Sequence, residues 1–193
     1  MRKLVETTFI TLDGVVSSPE RFAAPYFDDE YSAYARELLF AADALLLGRK
    51  TYEIFAPVWP GMEETEGEYA VRMNTLPKYV ASRTLTDADL TWNATVIDGD
   101  VAKEVARLKE QPGRNILKFS TGDLDRTLLE HKLVDEYHFW MFPVVAGGGA
   151  RPLDGIDTTH LKLTGTTPLA SGVVVLTYST STDVHRRQAG ATH

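Results

Sequence analysis

Three apolar runs in this chain each end in a short polar or glycine-bearing segment, and this repeated join restricts the fold more than any other feature. Ala44-Leu45-Leu46-Leu47 is followed by Gly48, Arg49, Lys50 and Thr51. Tyr79-Val80-Ala81 is followed by Ser82, Arg83 and Thr84, and Ile116-Leu117-Lys118-Phe119 by Ser120, Thr121, Gly122 and Asp123. A short, wholly apolar run is what a strand buried on both sheet faces looks like. In an open α/β sheet, ligands bind outside the carboxyl ends of such strands. Three ends of this kind would gather backbone N–H groups, hydroxyls and two arginines on one rim, a surface suited to an anionic nucleotide.

The rest of the chain fits an alternating pattern. Residues 5–12 read as a strand that ends in the turn signal Asp13-Gly14. Residues 17–25 are loop-like. A helix begins at Asp28, because Tyr31, Tyr34, Ala35, Leu38 and Ala42 follow the i, i+3, i+4, i+7 rule. A short helix starts near Arg49 and stops before Pro57. Residues 59–68 carry Pro60, Gly61, Gly67 and an acidic excess, and read as a long irregular loop and candidate lid. Strands follow at 78–81 and 95–97. A helix capped by Asp98 or Asp100 then buries Val101, Val105 and Leu108, and Pro112-Gly113 ends it. A strand at 115–119 precedes a helix at 123–131. Residues 134–145 read as one long strand, broken by Gly147-Gly148-Gly149, which permits a tight turn or close packing. Residues 161–167 and 172–180 close as an antiparallel pair. Early alternation and late strands predict a three-layer α/β/α fold around a mixed, mostly parallel sheet. Residues 1–180 are expected to form a single domain, with 181–193 a polar tail.

Composition narrows the function classes. The 193 residues carry 44% hydrophobic and 24% charged side chains, as an ordinary globular protein does. A formal net charge of −7 argues against a dedicated nucleic-acid binder, which carries a basic footprint. With no cysteine there are no disulfides, thiolate nucleophiles or Cys-based zinc sites, which fits a reducing cytoplasm. Neither a signal peptide nor a membrane span is expected, since the run 38–47 is short and interrupted by Asp43. The five histidines, His131, His138, His160, His185 and His193, have no ligand spacing, and no metal site is expected.

Each candidate site residue has a functional and a plain reading. Gly48 permits close backbone approach, Arg49 can fork onto a phosphate, and Thr51 can donate a hydroxyl hydrogen bond. The alternative is a strand-to-helix turn with solvated Arg49 and Lys50. Ser82 and Arg83 add hydroxyl and cation, or are a solvated strand end. Two arginines at neighbouring ends favour a phosphorylated nicotinamide dinucleotide over the unphosphorylated one. Ser120, Thr121, Gly122 and Asp123 can wrap a pyrophosphate or ribose, or simply cap a helix. Asp13 is a candidate for substrate orientation or proton supply, or makes an Asp-Gly turn. The aromatic stretch 137–145, with Trp140 and Phe142, either faces a partner in a homodimer or packs under helices.

Taken together, Thr11-Leu12-Asp13-Gly14, the run 42–52, Ser82-Arg83-Thr84-Leu85, Leu133-Val134-Asp135-Glu136 and Pro143-Val144-Val145 resemble one family. It is the dihydrofolate-reductase-like family that includes the C-terminal reductase domain of the bifunctional riboflavin-biosynthesis deaminase–reductase. The resemblance covers about residues 3 to 180. It implies NADPH lying across the carboxyl strand ends. By position, Gly48, Arg49, Lys50 and Thr51 resemble the first cofactor turn, and Ser82 with Arg83 the adenosine 2′-phosphate group. Thr121, Gly122, Asp123 and Leu124 resemble the pyrophosphate turn, and Asp13 the pocket aspartate of an S-L-D-G motif in which Thr11 replaces serine. The family's usual glycine is here Ser120, which would set a side chain against the dinucleotide. The resemblance implies hydride transfer to a C=N or C=O group of a small pterin- or pyrimidine-like substrate. Its rivals are a true folate reductase on the same fold, and a nucleotide-binding or assembly module without catalysis.

Overall fold

In the computed structural model, β1 (Leu4–Thr11), β2 (Ala42–Gly48), β3 (Lys78–Ala81), β4 (Ala94–Val96), β5 (Asn115–Phe119), β6 (Glu136–Phe142), β7 (Leu161–Pro168) and β8 (Val174–Thr180) form one sheet. The order is β4-β3-β2-β5-β1-β6-β8-β7. The first six strands run parallel, β8 adds antiparallel to β6, and β7 adds antiparallel to β8. Residues 1–151, 153 and 155–180 are described. The polar tail expected over 181–193 lies outside the described residues.

Alternating side chains of the central strands feed two opposite cores. Leu4, Leu46 and Ile116 meet α5 (Val101–Glu110) and α6 (Asp123–Glu130) on one face through Val105, Leu108 and Leu128. Val5, Leu45, Leu47 and Leu117 meet α1 (Asp29–Ala41), α2 (Arg49–Phe55) and α4 (Glu68–Thr75) on the other through Leu39, Tyr52 and Met73. The expected three-layer α/β/α arrangement is therefore present. Both long helices start on an aspartate cap. Asp28 accepts from the Tyr31 N–H at 2.8 Å, and Asp100 from those of Ala102 and Lys103.

Three elements differ from the sequence-based expectation. The long strand over 134–145 is shorter, Glu136–Phe142, because Asp135 turns back to the start of β1 and Pro143 has no N–H for the ladder. The Asp135 carboxylate accepts from the Leu4 N–H at 2.8 Å. The expected loop 59–68 is ordered as a 3-10 turn at Trp59–Gly61 and the short helix α3 (Glu63–Glu66). Helix α4 then follows, burying Ala70 and Met73. Trp140 and Phe142 are covered within the chain, by Tyr31 and Tyr34 of α1 and by Phe22 and Tyr26. They are not free to meet a second copy. Among the described residues no helix is long and apolar enough to cross a membrane.

Candidate active site

The carboxyl ends of β2, β3 and β5 open onto a single cleft of about 1520 Å³. That exceeds the roughly 300–1,000 Å³ of an ordinary small-molecule site, and leaves space for two bound molecules. All the residues expected on the three turns line it: Gly48, Arg49, Lys50 and Thr51; Ser82 and Arg83; and Ser120, Thr121, Gly122, Asp123 and Leu124. A Cβ added at Gly48 or Gly122 would meet nothing within 4 Å, so both backbones lie open to the cleft.

The cations on the turns are not equivalent. Arg49 Nη1 donates to both carboxylate oxygens of Glu53, at 2.8 and 3.1 Å, one helical turn away on α2. Lys50 reaches across to Asp123 at 3.5 Å, joining the first turn to the third. Arg83 alone of the three makes no hydrogen bond or ion pair among the described residues. It is exposed, and its loop is fixed by the Ser82 hydroxyl, which accepts from the N–H groups of Thr84 and Leu85 at 3.1 and 3.0 Å.

Ser120 sits at φ 66, in the left-handed region that favours glycine. The position thus keeps a glycine-like backbone while carrying a side chain, which is exposed at the cleft. Ser120→Gly is expected to relieve this strain and raise stability by about 0.5–1 kcal/mol, after the entropy cost of glycine in the unfolded chain. Urea denaturation measures it, and an unchanged midpoint would mean that the turn holds no such strain.

Asp13 is placed differently from the turn residues and does not line the cleft. Its carboxylate accepts from the Thr11 hydroxyl at 2.6 Å and from the Ala146 and Gly147 N–H groups at 3.0 and 2.9 Å. These donors, the Thr11 hydroxyl first, hold its pKa down at about 2. Such an acid has no proton to give near neutral pH. Arg151 does line the cleft, and its guanidinium Nε donates to the Asp13 carbonyl at 2.9 Å. Asp13 therefore ties the end of β1 to the loop after β6. Gly149 completes that contact, since a Cβ there would lie 2.4 Å from Val15 Cγ1.

Sequence reasoning missed the aromatic end of the cleft. Phe27 stacks on Tyr31 with centroids 4.4 Å apart, Phe9 stands edge-on to Tyr31, and Trp140 lies behind. Trp59 and Tyr69, tilted against each other with ring centroids 5.6 Å apart, also line the cleft. Burial, aided by the Glu66 carboxylate, holds the Tyr31 and Tyr69 hydroxyls well above the ordinary tyrosine range, so both stay protonated. Tyr31 was legible as a helix-face residue, but nothing local separated a core aromatic from a cleft aromatic.

The family model of the RibD C-terminal domain matches residues 2–175. The chain belongs to that family. It is 30% identical over 181 residues to the uncharacterized protein YyaP of Bacillus subtilis (strain 168), covering 92% of this chain and 94% of that one. Among solved structures it resembles a Shewanella sp. PV-4 protein named for riboflavin biosynthesis, with TM-score 0.70, 19% identity and coverage of 93% and 99%. It also resembles the Thermotoga maritima diaminohydroxyphosphoribosylaminopyrimidine deaminase/5-amino-6-(5-phosphoribosylamino)uracil reductase, with TM-score 0.64 and 14% identity; 93% of this chain matches 57% of that bifunctional one. Enterococcus faecalis dihydrofolate reductase in complex with NADP(H) matches with TM-score 0.61, 14% identity and coverage of 92% and 95%. The RibD-like, dihydrofolate-reductase-like fold read from the motifs is thus present, and the family supports an oxidoreductase.

Proposed function

We propose that this protein is an NADPH-dependent reductase that reduces a C=N or C=O group of a small pyrimidine-like heterocycle. The observation that carries the reading is the convergence of three strand-end turns and an aromatic pocket on one cleft. The open backbones at Gly48 and Gly122 and the guanidinium of Arg83, which meets no carboxylate among the described residues, fit an extended, polyanionic dinucleotide. Thr51 and Ser82 add hydroxyls along the same path. When bound, the cofactor supplies a hydride equivalent, and the protein's part is to position and desolvate.

Arg83 would hold the 2′-phosphate, and Thr121, Gly122, Asp123 and Leu124 the pyrophosphate. Phe9, Phe27 and Tyr31 would exclude water and offer a flat face to a planar ring. Asp13 would act on the site through Arg151, as a positioning residue. Segment 59–68 contributes Trp59, Met62 and Glu66 to the cleft, which suits a lid.

The test is to mix the purified protein with NADPH and either 5-amino-6-(5-phosphoribosylamino)uracil or dihydrofolate, and to follow nicotinamide oxidation and cofactor fluorescence. Oxidation with the pyrimidine is the expected result. Oxidation with dihydrofolate alone would move the reading to a folate reductase. Saturable NADPH binding without turnover on either would favour the non-catalytic module, and no binding would overturn the cofactor assignment.

A further inference from the structure

Beneath turn 120–122 lie three ionisable side chains closed off from solvent. Glu6 of β1, Lys118 of β5 and Asp125 of α6 have side chains only 1–2% exposed. Strand register sets Lys118 and Tyr137 on either side of Glu6 on the same sheet face, and Asp125 closes the group from the helix above. Lys118 Nζ stands 2.8 Å from Asp125 and 3.4 Å from Glu6.

Three polar groups of the turn are fastened to this cluster. Lys118 donates to the Ser120 carbonyl at 2.5 Å. The Thr121 hydroxyl donates to Glu6 Oε1 at 2.7 Å and lies 2.8 Å from the Thr8 hydroxyl. The Gly122 N–H donates to Asp125 Oδ2 at 2.5 Å. The remaining carboxylate oxygens, Glu6 Oε2 and Asp125 Oδ1, are buried, and the one donor near them among the described residues is the shared Lys118 ammonium, at 3.4 and 2.8 Å. The two carboxyl groups thus converge on one ammonium, with no second cation beside them among the described residues.

Two buried carboxylates around one ammonium carry one negative charge too many. The arrangement is completed by one proton held between the two carboxyl groups. We propose that Glu6 and Asp125 share one proton, that Glu6 is thereby a positioning residue for the dinucleotide turn, and that anion binding on this turn is linked to retention of that proton. The inference rests on the cofactor reading above and adds to it a proton-linked anion site.

Burial pushes Glu6 up to about 8, against the opposing pull of Lys118 and with the help of Asp125. The value belongs to the pair. The groups facing Glu6 are Lys118 from β5, Asp125 from α6, Tyr137 from β6, Thr121 from the turn and Thr8 from β1 itself. Burial raises the Tyr137 phenol further, so it stays neutral throughout. Below pH 8 the cluster holds its proton and the turn sits over a neutral Lys–Asp–Glu set. Above it, an extra negative charge lies under the site of a pyrophosphate. Each pKa unit that bound anion adds to the pair corresponds to about a tenfold change in affinity.

The test titrates the protein with NADPH between about pH 6.5 and 9.5, for wild type and Glu6→Gln. The side-chain amide of that variant still accepts from Thr121, and its NH2 donates toward Asp125, replacing the shared proton by one that cannot leave. The expected result is a wild-type affinity that falls about three- to tenfold as pH rises through 8, and a Glu6→Gln affinity that stays flat. A second measurement on wild type alone follows the carboxyl carbons of Glu6 and Asp125 by 13C NMR in the free protein, where one of the pair should titrate near 8. Ionisation of both at the ordinary value of about 4 overturns the shared proton. Binding with the same pH dependence in both proteins overturns the linkage but leaves the cofactor reading standing. Absence of NADPH binding at every pH overturns that reading and the inference with it.

Discussion

Lys118→Met is expected to lower the stability of the folded protein by about 3–5 kcal/mol, the usual cost of removing one partner from a buried charge set. Lys118 is the cation beside Glu6 and Asp125, at 3.4 and 2.8 Å, and its ammonium also holds the Ser120 carbonyl. Methionine fills the stem volume but leaves two carboxyl groups facing each other without compensation. For a chain of this size the midpoint of thermal unfolding should fall by on the order of 10 °C. The sign of the pH dependence follows from Glu6, whose folded pKa lies above its unfolded value of 4.5. Its contribution is fully present below pH 4.5 and is lost as pH rises through about 8. Without the ammonium Glu6 is pushed higher still, so the deficit of the variant should grow with pH across that window and be smallest at its acid end. Denaturation at pH 5 and pH 8.5 measures it. The double variant Glu6→Gln with Lys118→Met should recover part of the loss, because it removes one of the stranded acids. A single variant as stable as wild type would mean that water reaches this cluster.

This cluster also shows where reading the sequence stops. Period-two alternation puts Glu6 and Thr8 on one side of β1, where the polar pattern reads as a solvent face. Only the return of β5 and α6, more than a hundred residues later, buries them. A long-range pairing of this kind leaves no local signal. The strand-end turns were legible because each is a local event: an apolar run, a break, and a helix that begins within a few residues. Residues 68–75 were not legible as a helix. The element has only eight residues and follows directly on Gly67, and its buried stripe amounts to Ala70 and Met73. Asp13 was legible as a turn residue through the Asp-Gly pair, and Gly14 has the positive φ such a turn requires. The pairing of Arg49 with Glu53 was present in the sequence as an i, i+4 pair on a helix, and it takes Arg49 out of the set of free cations. That of Lys50 with Asp123 was not, since it joins two different turns.

These pairings lead to the sharpest expectation for the cleft itself. Arg83→Ala should weaken NADPH binding about 10- to 100-fold and change NADH binding by less than about threefold, as loss of a charge-assisted hydrogen bond to a single phosphate would. Arg49 and Lys50 already have carboxylate partners at 2.8 and 3.5 Å, so neither can turn to a phosphate without giving one up. Arg83 gives up nothing, because no carboxylate meets it among the described residues, and the Ser82 hydroxyl holds its loop in place beforehand. A preorganised, unpaired guanidinium loses the least on binding and contributes the most. Arg83→Lys should recover only part of the affinity, since an ammonium cannot fork onto two phosphate oxygens. Fluorescence titration with the two reduced cofactors separates the possibilities. Equal losses for NADPH and NADH would place Arg83 over the pyrophosphate that both cofactors share. A loss confined to NADPH would assign it the 2′-phosphate. No loss for either would mean that the dinucleotide does not run past the end of β3, and the direction assigned to it along the cleft would have to be reversed.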